Sequence, residues 1–368
     1  MATTSDVAVI GAGIVGLSTA HHLLQAGFSV TVYESGTPGG GQSAGQSRIF
    51  RHAHDDPRMV GFAVESRRRW AELEDRFGRQ LISRDGALAL GDAVARRLAV
   101  MREHPEIEAE EIGGDELATR LPVLADFDGP AMLDRTAGSI ATRTAIELLA
   151  SEVGARLVSD TVLGVRQTES GGVEVLAGTH RGGHGAVIVC AGRGTAPLAY
   201  GAGLAPPIEV RAHVRASFRP RDDVGSLATL QDGSGAFGEA GVYAAAYPDR
   251  SRYGVGLAEA VAARDDGAVL EPDGLAEHVS RVRRYVERAL PGLDPEPTDL
   301  VHCWVTRLPW GDDGVAVWRT GDRWFLAGHN LFKHGPALGA LLARGLADDS
   351  VPEILRPETR FGSDVDHL

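Results

Sequence analysis

Residues 7–34, VAVIGAGIVGLSTAHHLLQAGFSVTVYE, read as a strand, a tight turn, a helix and a second strand closed by an acid. Val7, Ala8, Val9 and Ile10 form a short apolar run suited to a strand buried on both faces. Gly11, Gly13 and Gly16 then supply G-x-G-x-x-G. The first glycine permits the turn, the second lets a pyrophosphate approach the backbone, and the third lets the helix pack closely on the strand. The helix N-terminus, at Ile14 and Val15, offers N–H groups and a positive dipole end to that phosphate. Val30 and Val32 belong to the second strand, and Glu34 at its end can accept both hydroxyls of an adenosine ribose, with Ser35 beside it. A 2′-phosphate would be repelled there, which disfavours NADP. A purely structural βαβ unit would show the same strand and helix pattern, but the full set of glycines, helix and acid favours a dinucleotide site. A second run, Gly233-Ser-Gly235-Ala-Phe-Gly238, has no helix pattern after it and reads as a loop or hairpin turn.

Working outward, the 368 residues provide core for two domains, and 43% hydrophobic with 24% charged residues describes an ordinary globular chain. A net charge of −13 argues against nucleic acid or an anionic membrane surface as partner. The only cysteines, Cys190 and Cys303, lie far apart, so a disulfide framework is not expected and a reducing cytoplasm fits. No apolar run reaches the length of a membrane span, and the early start of the dinucleotide motif leaves no room for a signal peptide. No metal-ligand spacing is present. Lys333 is the single lysine among 37 lysines and arginines.

After Glu34 comes a loop of small residues to Gly45, then Gln46-Ser-Arg-Ile-Phe-Arg-His-Ala-His54. Arg48 and Arg51, three apart, could point the same way from a helical turn; surface charge is the other reading. Pro57–Phe77 reads as a helix with an apolar stripe of Ala63, Trp70, Leu73 and Phe77, and Arg67, Arg68 and Arg69 as a solvated face paired with nearby glutamates. Residues 86–91 read as a strand, 92–125 as helical and polar with breaks at Pro105 and Pro122, and 138–150 as a turn and helix. Short strands are predicted near 155–158, 162–165, 173–176 and 186–190, and at 242–248, 253–257 and 324–328. Helices are predicted over 275–290 and 336–348. Nucleotide-type elements thus occur at the start, in the middle and at the end, with a mixed sheet between. The predicted fold is α/β with an α+β second part: a Rossmann-like domain of residues 1–84, 139–206 and 310–368, and a mixed-sheet substrate domain of residues 85–138 and 207–309.

Three segments carry a family likeness: the fingerprint at 7–34, the S-R-I-F-R run from Ser47 to Arg51, and the Cys303-Trp-Val-Thr306 box. Together they resemble the monomeric sarcosine oxidase group of the FAD-dependent glycine oxidase and D-amino-acid oxidase superfamily, from residue 6 to about 345. The resemblance implies a glutathione-reductase-type dinucleotide fold with FAD extended in the first domain. A second domain would cover the flavin ring and form the amine pocket. It implies hydride transfer to flavin N5 from the carbon beside the nitrogen of an amino acid, secondary amine or imino acid. It also implies a small-molecule partner and a monomer.

Residue by residue, Cys303 falls where the family ties the flavin 8α-methyl through sulfur, although a buried free cysteine would read the same. Arg51 and Lys333 match the two cations that hold a substrate carboxylate, one as a planar fork and the other as a point charge. Arg48 matches an arginine beneath the flavin, Tyr243 a pocket tyrosine, and Ser47 and Gly328 belong to matching cofactor-binding segments. The departures are equally specific. A histidine before the S-R box becomes Ala44, the lysine that promotes oxygen reduction falls on Gly254, and a pocket histidine falls on Ala258. The loop before Lys333 is about two residues shorter. Loss of that lysine keeps an alternative open, a monooxygenase or a dehydrogenase with an acceptor other than oxygen. The smaller, less polar pocket residues imply a substrate bulkier than sarcosine.

Overall fold

A computed structural model describes residues 3–364 and shows two large sheets joined by a small two-stranded one. The first sheet has eight strands. Thr3–Ile10 lies at its centre, parallel to Val30–Glu34 on one side and to Arg181–Val189 on the other. Leu157–Ser159 extends the parallel array beyond Glu34, and Arg323–Gly328 extends it beyond Val189. Val7–Ile10 and Val187–Val189, buried on both faces, are continuous apolar runs rather than alternating ones. Val162–Gln167 and Val173–Ala177 attach to Arg181–Val189 as an antiparallel extension.

The turn between the first strand and the helix Ile14–Gln25 depends on two glycines. Gly11 has φ +100°, and a Cβ there would stand 2.6 Å from the Cys190 carbonyl oxygen. A Cβ on Gly16 would overlap the Gly11 carbonyl, so the third glycine is the one that lets helix and turn meet. The same helix packs against Gly335–Ala347, with Ile14, Leu17, Leu338 and Leu342 in the largest apolar cluster.

The second sheet has nine strands and is mixed. Its order runs Val261–Ala262, Glu209–Phe218, Tyr253–Leu257, Val242–Ala246, Thr229–Asp232, Ala87–Leu90, Ala131–Asp134, Ala109–Glu111, with Asp299–Arg307 also paired to Glu209–Phe218. Only the pair Thr229–Asp232 with Ala87–Leu90 is parallel. The helix Pro272–Ala289 covers one face through Val282, Tyr285 and Val286. The small sheet pairs Ser47–Phe50 with Gly138–Ala141 and sits where the two large sheets approach.

Several expectations are corrected. Arg48 lies on an extended strand and Arg51 just past its end, not on a helical turn. Residues 92–125 are not continuously helical: Val94–Met101 is a helix, Ala109–Glu111 a strand and Gly114–Arg120 a short helix. The strand forms because Ala131–Asp134 offers it a partner edge, which propensity does not reveal. Gly138–Ala141 is a strand and not a turn, its first residue fitting only as glycine against Ser83. The helix Pro57–Phe77 has its predicted limits; Asp56 caps it and Gly78, in the left-handed region, ends it. Arg67, Arg68 and Arg69 pair with Glu65, Glu72 and Glu74 as predicted. The second glycine run joins the antiparallel strands Thr229–Asp232 and Val242–Ala246. Both cysteines are free and buried. No helix among the described residues is long and apolar enough to cross a membrane.

Candidate active site

One cavity of about 1380 Å³ begins at the glycine turn and ends between the two large sheets. That exceeds the ~300–1,000 Å³ of a site for one drug-sized ligand, and suits an extended dinucleotide with a small substrate beside it. Of the sequence-predicted residues, Gly11, Gly13, Ile14, Val15, Glu34, Ser35, Arg48, Arg51, Tyr243, Cys303, Gly328 and Lys333 all line it. Gly16 and Ser47 do not. Gly16 is buried behind the turn, and Ser47 is fully buried with its hydroxyl donating to the Ala245 carbonyl at 3.3 Å.

At the turn, Glu34 is already engaged on both oxygens. Oε2 accepts the Ala12 N–H at 2.7 Å and Oε1 the Gly36 N–H at 2.9 Å. Each oxygen keeps a further lone pair, so ribose hydroxyls can still bind. The Ile14 N–H donates to the Ser43 hydroxyl at 3.1 Å, which leaves the turn preorganised around a polar gap. The backbone-walled cradle and the acid at its edge fit the adenosine diphosphate half of FAD.

Further in, Cys303 lies on Asp299–Arg307 directly opposite His213. The next polar residue of its box, Thr306, donates to the Gly328 carbonyl at 2.6 Å and accepts from the Gln42 amide at 3.2 Å, tying this strand to the first sheet. Arg48 stands beside Cys303, Nη2 to Sγ 3.9 Å, and donates to the carbonyls of Ala44 at 2.5 Å and Ser47 at 3.0 Å. Burial and the neighbouring Arg215 lower the Arg48 guanidinium to about 10, so it stays charged at neutral pH. Tyr243 faces His213, hydroxyl to Nδ1 3.3 Å; burial pushes the phenol up to about 12 and the imidazole down to about 3, so both are neutral.

Arg215 is the residue that sequence reasoning missed. It is 3% exposed, donates from Nη1 to the Ser47 carbonyl at 2.7 Å, and has no partner for Nε or Nη2. It fills the space left by Gly254 and Gly45: a Cβ on Gly254 would lie 3.2 Å from Nε, and one on Gly45 2.7 Å from Nη2. Its signal in the sequence is the lone charge in the stretch Val214 to Phe218, where the remaining residues are small or apolar.

At the inner end, Arg51 and Lys333 converge, but on a protein carboxylate. Asp313 Oδ2 accepts from Arg51 Nη2 at 2.9 Å and from His54 Nδ1 at 2.8 Å, while Oδ1 accepts from Lys333 Nζ at 3.3 Å. These cations hold Asp313 well below the usual carboxylate range against the opposing effect of burial. Burial lowers the Lys333 amine to about 8 and the His54 imidazole to about 3, so His54 donates as the neutral Nδ1–H tautomer. Lys333 is placed by a 3₁₀ turn, Leu331–His334, whose carbonyl at Lys333 accepts from the Trp70 indole at 2.7 Å and whose Phe332 stacks on Trp70. His329 and His334 are also neutral, lowered chiefly by burial, so neither adds a cation. Ala258 lines the cavity; Ala44 and Gly254 do not.

The family model described as FAD dependent oxidoreductase matches residues 6–345. The chain is 28% identical over 238 residues to a monomeric sarcosine oxidase of Streptomyces avermitilis, covering 61% of each. It is 27% identical over 168 residues to the monomeric sarcosine oxidase of Arthrobacter sp. strain TE1826, covering 42% of this chain and 43% of that one. The chain therefore spans roughly half the length of the known relatives it matches. Among solved structures, NikD, described as an unusual amino acid oxidase essential for nikkomycin biosynthesis, superposes with a TM-score of 0.84 over 98% of both chains at 21% identity. At that identity the likeness is one of fold.

Proposed function

The chain belongs to the FAD-dependent oxidoreductase family, and on that premise we propose that it oxidises a C–N bond of an amino acid, secondary amine or imino acid. The observation that carries this reading is the single cavity connecting the glycine turn and Glu34 to Cys303, Arg51 and Lys333. FAD bound along it would supply the hydride acceptor, N5 of its ring. In this reading Gly11, Gly13, Ile14, Val15, Glu34 and Ser35 hold the adenosine and pyrophosphate. Gly328 and Arg48 would hold the ring end, and Cys303 would offer its sulfur for a bond to it. Segments 1–84, 139–206 and 310–368 form the FAD-binding domain, and 85–138 with 207–309 the substrate domain.

Tyr243, Val242 and Ala258 give the substrate an apolar wall with one neutral hydroxyl. A substrate that carries a carboxylate would reach the donors of Lys333 and Arg51 only by replacing Asp313 on them. The amine reacts as the neutral base, and no side chain is assigned to remove its proton. The protein acts as a cytoplasmic monomer in this reading, where the buried Cys190 stays a free thiol.

The alternative of a monooxygenase or of a non-oxygen acceptor rests on Gly254. Arg215 weakens that ground, since it puts a guanidinium in the space at Gly254. Anaerobic titration with N-alkyl and cyclic amines and amino acids tests the reading by bleaching of oxidised flavin. No bleaching with any of them, alongside bleaching by another substrate class, would overturn it. Stoichiometric peroxide on readmission of air would identify oxygen as the acceptor.

A further inference from the structure

We propose that Asp313 is a specificity-determining residue that permanently occupies the Arg51–Lys333 cradle, so that the preferred substrate is a secondary or tertiary amine without an α-carboxylate. This rests on the C–N oxidation reading and narrows it. The cradle has the composition of a carboxylate site, a guanidinium and an ammonium that share one carboxylate, and it is filled from within. Both Asp313 oxygens are engaged, Oδ2 by Arg51 and His54 and Oδ1 by Lys333.

Two features keep Asp313 in place. The first is its backbone. The loop from Leu308 to Gly314 is pinned by the segment Phe361 to Asp364: the Phe361 carbonyl accepts from the Trp310 indole at 3.1 Å and from the Val315 N–H at 3.1 Å, and the Asp312 N–H donates to Asp364 Oδ1 at 3.3 Å. Gly362 meets the Asp313 carbonyl so closely that a Cβ would overlap it. The second is what a departure would leave behind. His54 is buried, and its Nδ1–H has Asp313 as its acceptor; without it a buried donor is orphaned beside two cations. A substrate carboxylate that did not displace Asp313 would lie against a like charge in a poorly hydrated wall, which is equally unfavourable. An amine without the carboxylate meets neither obstacle.

The experiment pairs substrates that differ only in the carboxylate, such as N-methylphenylalanine and N-methylphenethylamine. It follows flavin reduction anaerobically in the wild-type holoenzyme, and measures benzoate binding by calorimetry in wild type and Asp313→Asn. The amine should reduce the flavin with a second-order rate constant at least tenfold above that of the acid. Benzoate should bind Asp313→Asn at least tenfold more tightly than wild type. A wild-type preference for the amino acid, or equal benzoate affinity in the two proteins, would overturn the proposal. If neither member of any pair reduces the flavin, C–N oxidation itself fails, while the benzoate comparison still decides the part played by Asp313. Because the wild-type ratio needs no variant, poor folding of Asp313→Asn leaves the test intact.

Discussion

Arg215 and Gly254 occupy neighbouring antiparallel strands, and the guanidinium of the first rests where a side chain of the second would begin, 3.2 Å from an added Cβ. A buried arginine with two unpartnered nitrogens is costly to the fold, and its field falls on the cavity it lines. Arg215→Met should slow reoxidation of dithionite-reduced flavin by oxygen about tenfold, with Arg215→Lys in between. The effect is smaller than the ~10²–10³ lost with a donor that touches a developing charge, because Nε and Nη2 are shielded from direct contact. Stopped-flow mixing with air-saturated buffer measures it, and an unchanged rate would remove Arg215 from oxygen chemistry.

The same contact makes a stability prediction. Gly254→Ala should cost ~1–3 kcal/mol by overpacking against Arg215. Much of that loss should disappear when Arg215→Ala is the background, as a double-mutant cycle read by urea unfolding would show.

Cys303 is expected to carry the flavin. Acid precipitation should leave the yellow colour in the pellet for wild type and release it to the supernatant for Cys303→Ser. Colour free in both would mean that the neighbouring Arg48 and Cys303 border the ring without a bond.

At the opposite end of the cavity, Gly11→Ala should lose bound FAD and ~1–3 kcal/mol or more of stability, since it combines a left-handed φ with a Cβ 2.6 Å from the Cys190 oxygen. Gly113→Ala, away from this cavity and with open space at its Cβ, is the control and should retain both.

Acid should destabilise the protein through its buried imidazoles. Burial lowers His54 and His213 to about 3 and His329 to about 4, from an ordinary value of 6.5. Between those limits the unfolded chain binds protons that the folded one refuses, so stability rises with pH there and is lost as pH falls from about 6.5 towards 3–4. Lys333 acts with the same sign at the alkaline side, lowered from 10.5 to about 8 by burial, so its contribution improves as pH rises from 8 to 10.5. Urea unfolding at pH 7.5, 5.5 and 4.5 should show the acid slope, and His329→Gln should make it shallower.

The first βαβ unit was readable because each of its signals is local: the apolar run, the glycine spacing and the terminal acid fall within residues 7–34. The same holds for the helix Pro57–Phe77, bounded by its own cap residues. What escaped depends on partners distant in sequence. The strand Ala109–Glu111 exists because Ala131–Asp134 accepts it, and Ser47 turned inward because its strand pairs with Gly138–Ala141. Arg51 and Lys333 were recognised as cations of one site, yet Asp313, which lies 20 residues before Lys333 and 262 after Arg51, was invisible as their partner. Gly254 reads as a lost charge for the same reason: Arg215, on the next strand, puts its guanidinium beside it, which chain position alone does not reveal.

Lys333 bears the one ε-amine of the chain and is 4% exposed, inside the cavity. Amine-directed reagents that ordinarily decorate a protein's surface at many lysines therefore have a single side-chain target here, one that loses its proton near pH 8. The extent of its acylation, read by mass spectrometry, becomes a chemical gauge of how open the inner end of the cavity is.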